Sequence, residues 1–356
     1  MKPVYYFALC VVFLFACSEE KKEQPAESKT DKAPVVAEDT SFYDAVPVMT
    51  HPADNPWSKE KEELGKLLYF DPRLSGDNTM SCATCHHPDK GWTDGLPRAI
   101  GFGGKELGRH SPTVINSGYF EVQFWDGRSP TLEAQAKGPI QAPDEMNQNI
   151  EELIGELNAI PGYKERFAKV FGESGITLDN IAKAIATFER SVVSKNSAYD
   201  KYIAGDKEEM SASAVNGMDL FFSKAKCVLC HNGPAFTDSG FHNIGVQQHG
   251  PLKEDLGRFN VSKDDFDKGA FKTPGLRSVS QTAPYMHDGS KATLKDVLEF
   301  YNRGGDVAEN RSAFITPLEL NDQEVLDLVA FLKALDGEPL KVAMPELPGM
   351  TDAGEK

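Results

Sequence analysis

The sequence predicts an all-α protein made of two helical domains, and three observations carry this. Apolar residues recur at three- and four-residue spacing in several segments. Strand-like alternation is scarce. The pattern Cys-x-x-Cys-His occurs twice, at 82–86 and 227–231, with first cysteines 227 − 82 = 145 residues apart, about one domain length.

From the N-terminus, Val4 to Ala16 form a short apolar run behind Lys2. It is too short to span a bilayer and reads as the core of a signal peptide. The run ends in Leu14-Phe15-Ala16-Cys17, which resembles a bacterial lipobox with Cys17 as the acylated residue. Residues 1–17 are therefore predicted to be a lipoprotein signal. A membrane anchor at Cys17 would draw roughly 0.8 kcal/mol from each buried CH₂. The predicted location is the periplasm or the outer membrane, with the face of that membrane left open. Residues 18–41 are rich in Glu, Lys, Asp, Pro and Ser and read as a tether that cannot bury a core.

Helices are predicted at Ile150–Asn158, Leu178–Val193, Leu294–Tyr301 and Asp322–Leu335. Asn321, with Glu324 three residues on, caps the last of these. The Gly- and Pro-rich stretches 91–108 and 233–257 are long loops, and loops of that length usually organise a site or a ligand. The polar break Ala198–Glu209 places a domain boundary near Gly205, giving domains 42–205 and 206–340 and a tail 341–356.

The 356 residues, 40% hydrophobic and 26% charged, suffice for two cores of domain size. A formal net charge of −16 argues against nucleic acid, which needs Lys and Arg at phosphates. It would instead steer a basic partner such as a small electron carrier. There is no Gly-rich phosphate loop before a helix and no Ser-His-Asp arrangement.

Of six cysteines, Cys10 and Cys17 belong to the export segment, leaving Cys82, Cys85, Cys227 and Cys230. Cys-x-x-Cys-His is the attachment signature of c-type haem. Residues i and i+3 share a helical face, so both thiols reach the vinyl groups of one porphyrin, and the next histidine serves as proximal ligand. A disulfide, a redox dithiol or half a zinc site would explain either motif alone. Two motifs in one exported chain favour two covalent haems with His86 and His231 as proximal iron ligands. Each predicted domain is then cytochrome c-like. His87 reads as a surface residue; His51 and His249 read as loop residues.

Further motifs give a specific resemblance. They are Ser111-Pro112-Thr113, Phe124-Trp125-Asp126-Gly127-Arg128, Gln135 to Ile140, Glu145-Met146 and Thr282 to Gly289. With the first haem motif they make nearly all of residues 42–340 resemble the bacterial dihaem cytochrome c peroxidases. The resemblance implies that the N-terminal haem reacts with hydrogen peroxide. The C-terminal haem would take electrons from a small donor such as a cytochrome c or a cupredoxin. Trp125 corresponds to the tryptophan between the haems. Gln135 and Glu145 correspond to the polar pair on the peroxide side, where a carboxyl with a raised pKa can shuttle a proton. Asp126 and Arg128 would pair to fix the inter-haem loop. His242 is read as structural, with a haem propionate contact as the alternative.

Two positions depart from the family pattern. Tyr301 stands where peroxidases carry a methionine as second ligand of the C-terminal haem, with Met286 as its rival. A tyrosine there is similar to the dihaem enzyme that matures tryptophan tryptophylquinone. Ile100-Gly101-Phe102 replaces an Ile-Gly-His loop whose histidine blocks the first iron, so that iron is expected to be open, with His110 as a substitute ligand to weigh. The resemblance also implies a calcium ion held by carbonyls such as those of Thr282 and Pro284, with His110 in place of an asparagine ligand.

The leading expectation is reduction of hydrogen peroxide to water. Two alternatives are a high-valent dihaem oxidase acting on a protein side chain or small organic molecule, and a non-enzymatic dihaem electron carrier. A homodimer is admitted.

Overall fold

The computed structural model describes residues 45–350. The expected signal, the Cys17 anchor and the whole of the expected tether lie outside the described residues. The described chain is helical, with α1 (Lys59–Phe70), α2 (Cys82–Cys85), α3 (Leu132–Gln141), α4 (Ile150–Ala159), α5 (Pro161–Phe171), α6 (Leu178–Glu189), α7 (Ala198–Ile203), α8 (Ala212–Phe222), α9 (Phe259–Ser262), α10 (Leu294–Asn302) and α11 (Asp322–Ala334). Two short strands, β1 (Phe241–His242) and β2 (Phe271–Lys272), pair antiparallel, with Phe241 opposite Lys272.

Side-chain caps start most of the longer helices by satisfying amides that have no partner within the helix. The Ser58 hydroxyl accepts from the Lys61 amide (3.2 Å) and that of Thr131 from the Ala134 amide (3.1 Å). The expected box at Asn321 is present: its amide donates to Glu324 (2.8 Å) and its side chain accepts from the Glu324 amide (3.0 Å). α6 ends at Glu189, four residues before the expected end at Val193. Asn116 captures the chain beyond it. Its amide donates to the Val192 carbonyl (2.9 Å), and its side-chain oxygen accepts from the Ser194 amide (2.9 Å).

Buried apolar residues form two clusters. The first holds Leu64, Leu68, Tyr69, Trp92, Leu153, Phe167, Ile181 and Ile185. The second holds Tyr199, Phe221, Phe236, Leu328, Phe331 and Leu335. Each is built on a close helix crossing. Gly65 on α1 packs on α6, where a Cβ would lie 1.9 Å from the Ala184 carbonyl oxygen. Gly217 on α8 packs on α11, where a Cβ would lie 1.9 Å from the Asp327 carbonyl oxygen. The segment after α11 returns to the first cluster, where Leu340, Val342 and Leu347 pack.

Candidate functional site

The first Cys-x-x-Cys-His motif sits on α2 and its C-cap. The His86 amide donates to the Cys82 carbonyl (3.0 Å), closing one turn that gathers Cys82, Cys85 and His86. The Tyr69 hydroxyl donates to the His86 carbonyl (2.8 Å) and holds that turn on the core. Burial pushes the Cys85 thiol up to about 12 and the Cys82 thiol up further, and it lowers the His86 pKa. A neutral imidazole keeps a ring lone pair for a metal.

These three residues line a cavity of about 560 Å³ together with Trp125, Gln135 and Glu145, so the structure brings the sequence-predicted set to one place. α3 carries Gln135, and the chain beyond α3 folds back over the helix end. The Met146 amide donates to the Pro139 carbonyl (3.1 Å) and the Gln148 amide to the Ile140 carbonyl (2.8 Å), which sets Glu145 in the cavity wall. Burial raises the Glu145 pKa first, the Arg128 charge opposes this, and neighbouring Asp144 adds to it. The Phe102 amide donates to the Glu145 carbonyl (2.8 Å). Ala99, Gly101 and Leu107 of that loop line the cavity; Phe102 does not.

Among the lining residues that sequence reasoning missed, Glu189 is the most perturbed. Glu189, at the end of α6, is buried with its Oε2 unpartnered among the described residues, and burial raises its pKa to about 8. The available signal was its place four residues after Ile185, on the buried face of the helix.

The second motif occupies a 3₁₀ turn, Cys227–Leu229, and again the histidine amide donates to the first cysteine carbonyl (2.9 Å). His231 Nδ1 lies 3.0 Å from the Phe236 carbonyl. A carbonyl only accepts, so Nδ1 carries the hydrogen and Nε2 keeps the lone pair, the arrangement of a metal-binding histidine. Burial pushes the Cys227 and Cys230 thiols up to about 12 and about 11. These residues line a cavity of about 270 Å³ with Tyr301, Met286, Thr282 and Pro284. The Tyr301 hydroxyl, near the end of α10, makes no hydrogen bond among the described residues. Its pKa is raised by burial and then by the two thiols. Met286, with φ of 73°, lines the same cavity.

His287 lines it too, but its ring stacks on Phe271 at 3.7 Å and its Nε2 lies 3.2 Å from Gln248 Oε1. His110 lines both cavities, with Nδ1 2.8 Å from the Leu96 carbonyl. His242 pairs with Asp238 at 3.0 Å. With Cys230 these two form the one His/Cys/Asp/Glu cluster among the described residues that could share a metal ion, and Cys230 is also the second cysteine of the Cys-x-x-Cys-His motif.

Trp125 lines both cavities. Its indole N–H donates to the His110 carbonyl (2.9 Å) and its own carbonyl accepts from the Lys272 amide (2.8 Å). Asp126 accepts from Arg128 at 3.1 Å on both oxygens and from Arg109 at 2.8 Å. Arg109 also grips Asp255 with two hydrogen bonds. The loop between the cavities is thus pinned on both sides of Trp125. Two thiols and a neutral imidazole in each of two cavities fit a covalently held haem in each.

Residues 59–208 match the family model described as "Di-haem cytochrome c peroxidase". The chain is 44% identical over 299 residues to methylamine utilization protein MauG of Methylorubrum extorquens, covering 84% of this chain and 84% of that protein. It is 39% identical over 303 residues to cytochrome c551 peroxidase of Nitrosomonas europaea, covering 85% of this chain and 87% of that protein. Among solved structures, a MauG-like protein associated with microbial copper homeostasis superposes with a TM-score of 0.77 at 33% identity, covering 82% of this chain and 94% of that one.

Proposed function

Because this chain belongs to the di-haem cytochrome c peroxidase family and is a peroxidase-type oxidoreductase, reducing hydrogen peroxide to water, we propose that the cavity around His86 is its peroxide site. The observation that carries this is the meeting of Glu145 and Gln135 with Cys82, Cys85 and His86 in one cavity. Cys82 with Cys85, and Cys227 with Cys230, would attach haem c, with His86 and His231 as proximal ligands. When bound, haem supplies the redox chemistry that delivers two electrons to peroxide.

Glu145 takes a proton from one peroxide oxygen and returns it to the departing one. A carboxyl whose burial raises its pKa is suited to both halves of that transfer. Gln135 orients the substrate. Trp125, shared by both cavities, bridges the two sites for electron transfer. Tyr301, which lines the His231 cavity, would supply a second ligand to a haem iron there, with Met286 as its rival. Thr282 and Pro284 would hold calcium through their carbonyls. The all-α reading with a boundary near Gly205, export as a lipoprotein through Cys17, a small basic electron donor and a homodimer complete the proposal.

Glu145→Gln tests it. Turnover should fall roughly 10²- to 10⁴-fold, the usual weight of general acid–base catalysis, with both haem spectra unchanged. Turnover at the wild-type rate would remove Glu145 from the reaction.

A second reading is favoured by Tyr301 in the His231 cavity together with the 44% identity to a MauG protein. In it the oxidised substrate is a protein side chain or small organic molecule. Steady-state assays with peroxide and reduced cytochrome c divide the readings: rapid cytochrome oxidation supports the peroxidase and counts against the oxidase.

A further inference from the structure

Among the described residues, five cationic side chains are buried: Lys61, Arg73, Arg190, Lys272 and Arg277. Four have polar partners. Lys61 donates to Asn55 Oδ1 (2.9 Å) and to the Pro56 carbonyl (2.7 Å). Arg73 pairs with Asp71, Arg190 with Glu133 and Arg277 with Asp200. Lys272 alone has none. Its side chain makes no hydrogen bond or ion pair among the described residues, although the residue is only 7% exposed.

What surrounds Lys272 does not neutralise it. Its ammonium lies over the Phe120 ring, 4.3 Å from the centroid. Asp238 is the one acid whose charge reaches it, and that acid is already paired with His242 at 3.0 Å. Burial lowers the Lys272 pKa to about 8, which marks a cation held without adequate compensation. The residue is also fixed in place. Its amide donates to the Trp125 carbonyl (2.8 Å), and β2 pairs with β1. Lys272 and Phe120 both line the cavity that holds Cys227, Cys230 and His231.

A buried ammonium is stable only when paired, and the described residues offer no anion for the pair. A haem carries two propionate carboxylates. We propose that Lys272 is an anion clamp of the second cavity, pairing with a carboxylate of the group attached at Cys227 and Cys230. This rests on the reading that the cavity holds a haem. The clamp places a positive charge beside the second redox centre and one hydrogen bond from Trp125. Positive charge favours the reduced state of a nearby iron, so Lys272 also raises the potential of that centre.

The test compares wild-type holoprotein with K272M, K272Q and K272R by potentiometric titration of each haem. In the neutral variants the reduced-to-oxidised ratio of the second haem should fall at least tenfold at a fixed applied potential. For a one-electron couple that is a drop of about 59 mV. K272R should hold the wild-type value, and the first haem should not move. If the neutral variants mature with the first haem but lose the second while K272R keeps both, the clamp is equally supported. A second-haem potential unchanged in K272M and K272Q, or the same loss in all three variants, overturns it. A haem assay finding fewer than two haems in the wild type would instead overturn the reading beneath it.

Discussion

The cavity around His86 is also lined by Gln135, Glu145 and Arg128, whereas the cavity around His231 is also lined by Tyr301, Met286 and the aliphatic chains of Leu294 and Leu298. The attachment residues are the same in both, and so is the hydrogen bond that closes each turn onto its first cysteine. What differs is the chemistry sharing the space with the histidine. One cavity offers an amide and a carboxyl that can hold and move protons. The other offers a phenol and a thioether that can bind iron. On the proposed reading, a repeated motif would hold the cofactor and the rest of each wall would assign its task.

The largest effect that would break this comparison is at Tyr301. If its oxygen completes the second site, Tyr301→Phe should change the electron paramagnetic resonance signal of the second ferric haem outright and leave the first untouched. An anionic oxygen ligand favours ferric iron, so the second haem should also become easier to reduce. An unchanged signal in Tyr301→Phe, joined to a changed one in Met286→Leu, would give the ligand role to Met286 and keep the asymmetry. No change in either variant would remove it.

A smaller effect concerns Glu189, which has no counterpart in the second cavity. Its pKa is raised from 4.5 to about 8 by burial, so the folded state holds this proton more tightly than the unfolded chain does. The stabilising contribution is complete below the ordinary carboxyl pKa and is lost as pH rises through about 8. Glu189→Gln, which keeps the shape without the charge, should therefore flatten the decline in melting temperature between about pH 5 and 8. A wild-type slope that survives in the variant would place this titration elsewhere.

Glu189 also shows where the sequence stops being legible. The two Cys-x-x-Cys-His turns and the Asn321 cap could be read because their signals lie in short patterns of residue type, whereas the Trp125, Gln135 and Glu145 set came only from the family resemblance of the motifs around it. Helices α4, α10 and α11 could be read because their apolar periodicity runs their whole length. α1 opens with the charged run Lys59-Glu60-Lys61-Glu62-Glu63 and becomes apolar only from Leu64, so its period is half hidden. α3 contains Gly138 and Pro139, and α8 contains Gly217, residues that argue against a helix until tertiary packing outweighs propensity. The return of Leu340, Val342 and Leu347 to the first core lies within a Pro-rich stretch with no period at all. Glu189 and Lys272 stayed hidden for another reason. An acid or a lysine reads as surface by type, and only the fold shows that each is buried against a cavity.

The smallest effect separates the two cores by stability alone. Gly65 and Gly217 occupy equivalent roles at the α1–α6 and α8–α11 crossings, each with room for a hydrogen and none for a methyl group. Alanine at either position must push backbone away from backbone, an overpacking that costs roughly 1–3 kcal/mol and exceeds the small gain in helix propensity. If the cores melt separately, G65A should lower the temperature at which the His86 haem spectrum is lost, and G217A that of the His231 haem. If both variants lower both transitions equally, the cores unfold as one cooperative unit. The difference between the two sites would then lie wholly in the residues sharing each cavity and not in the stability of its scaffold.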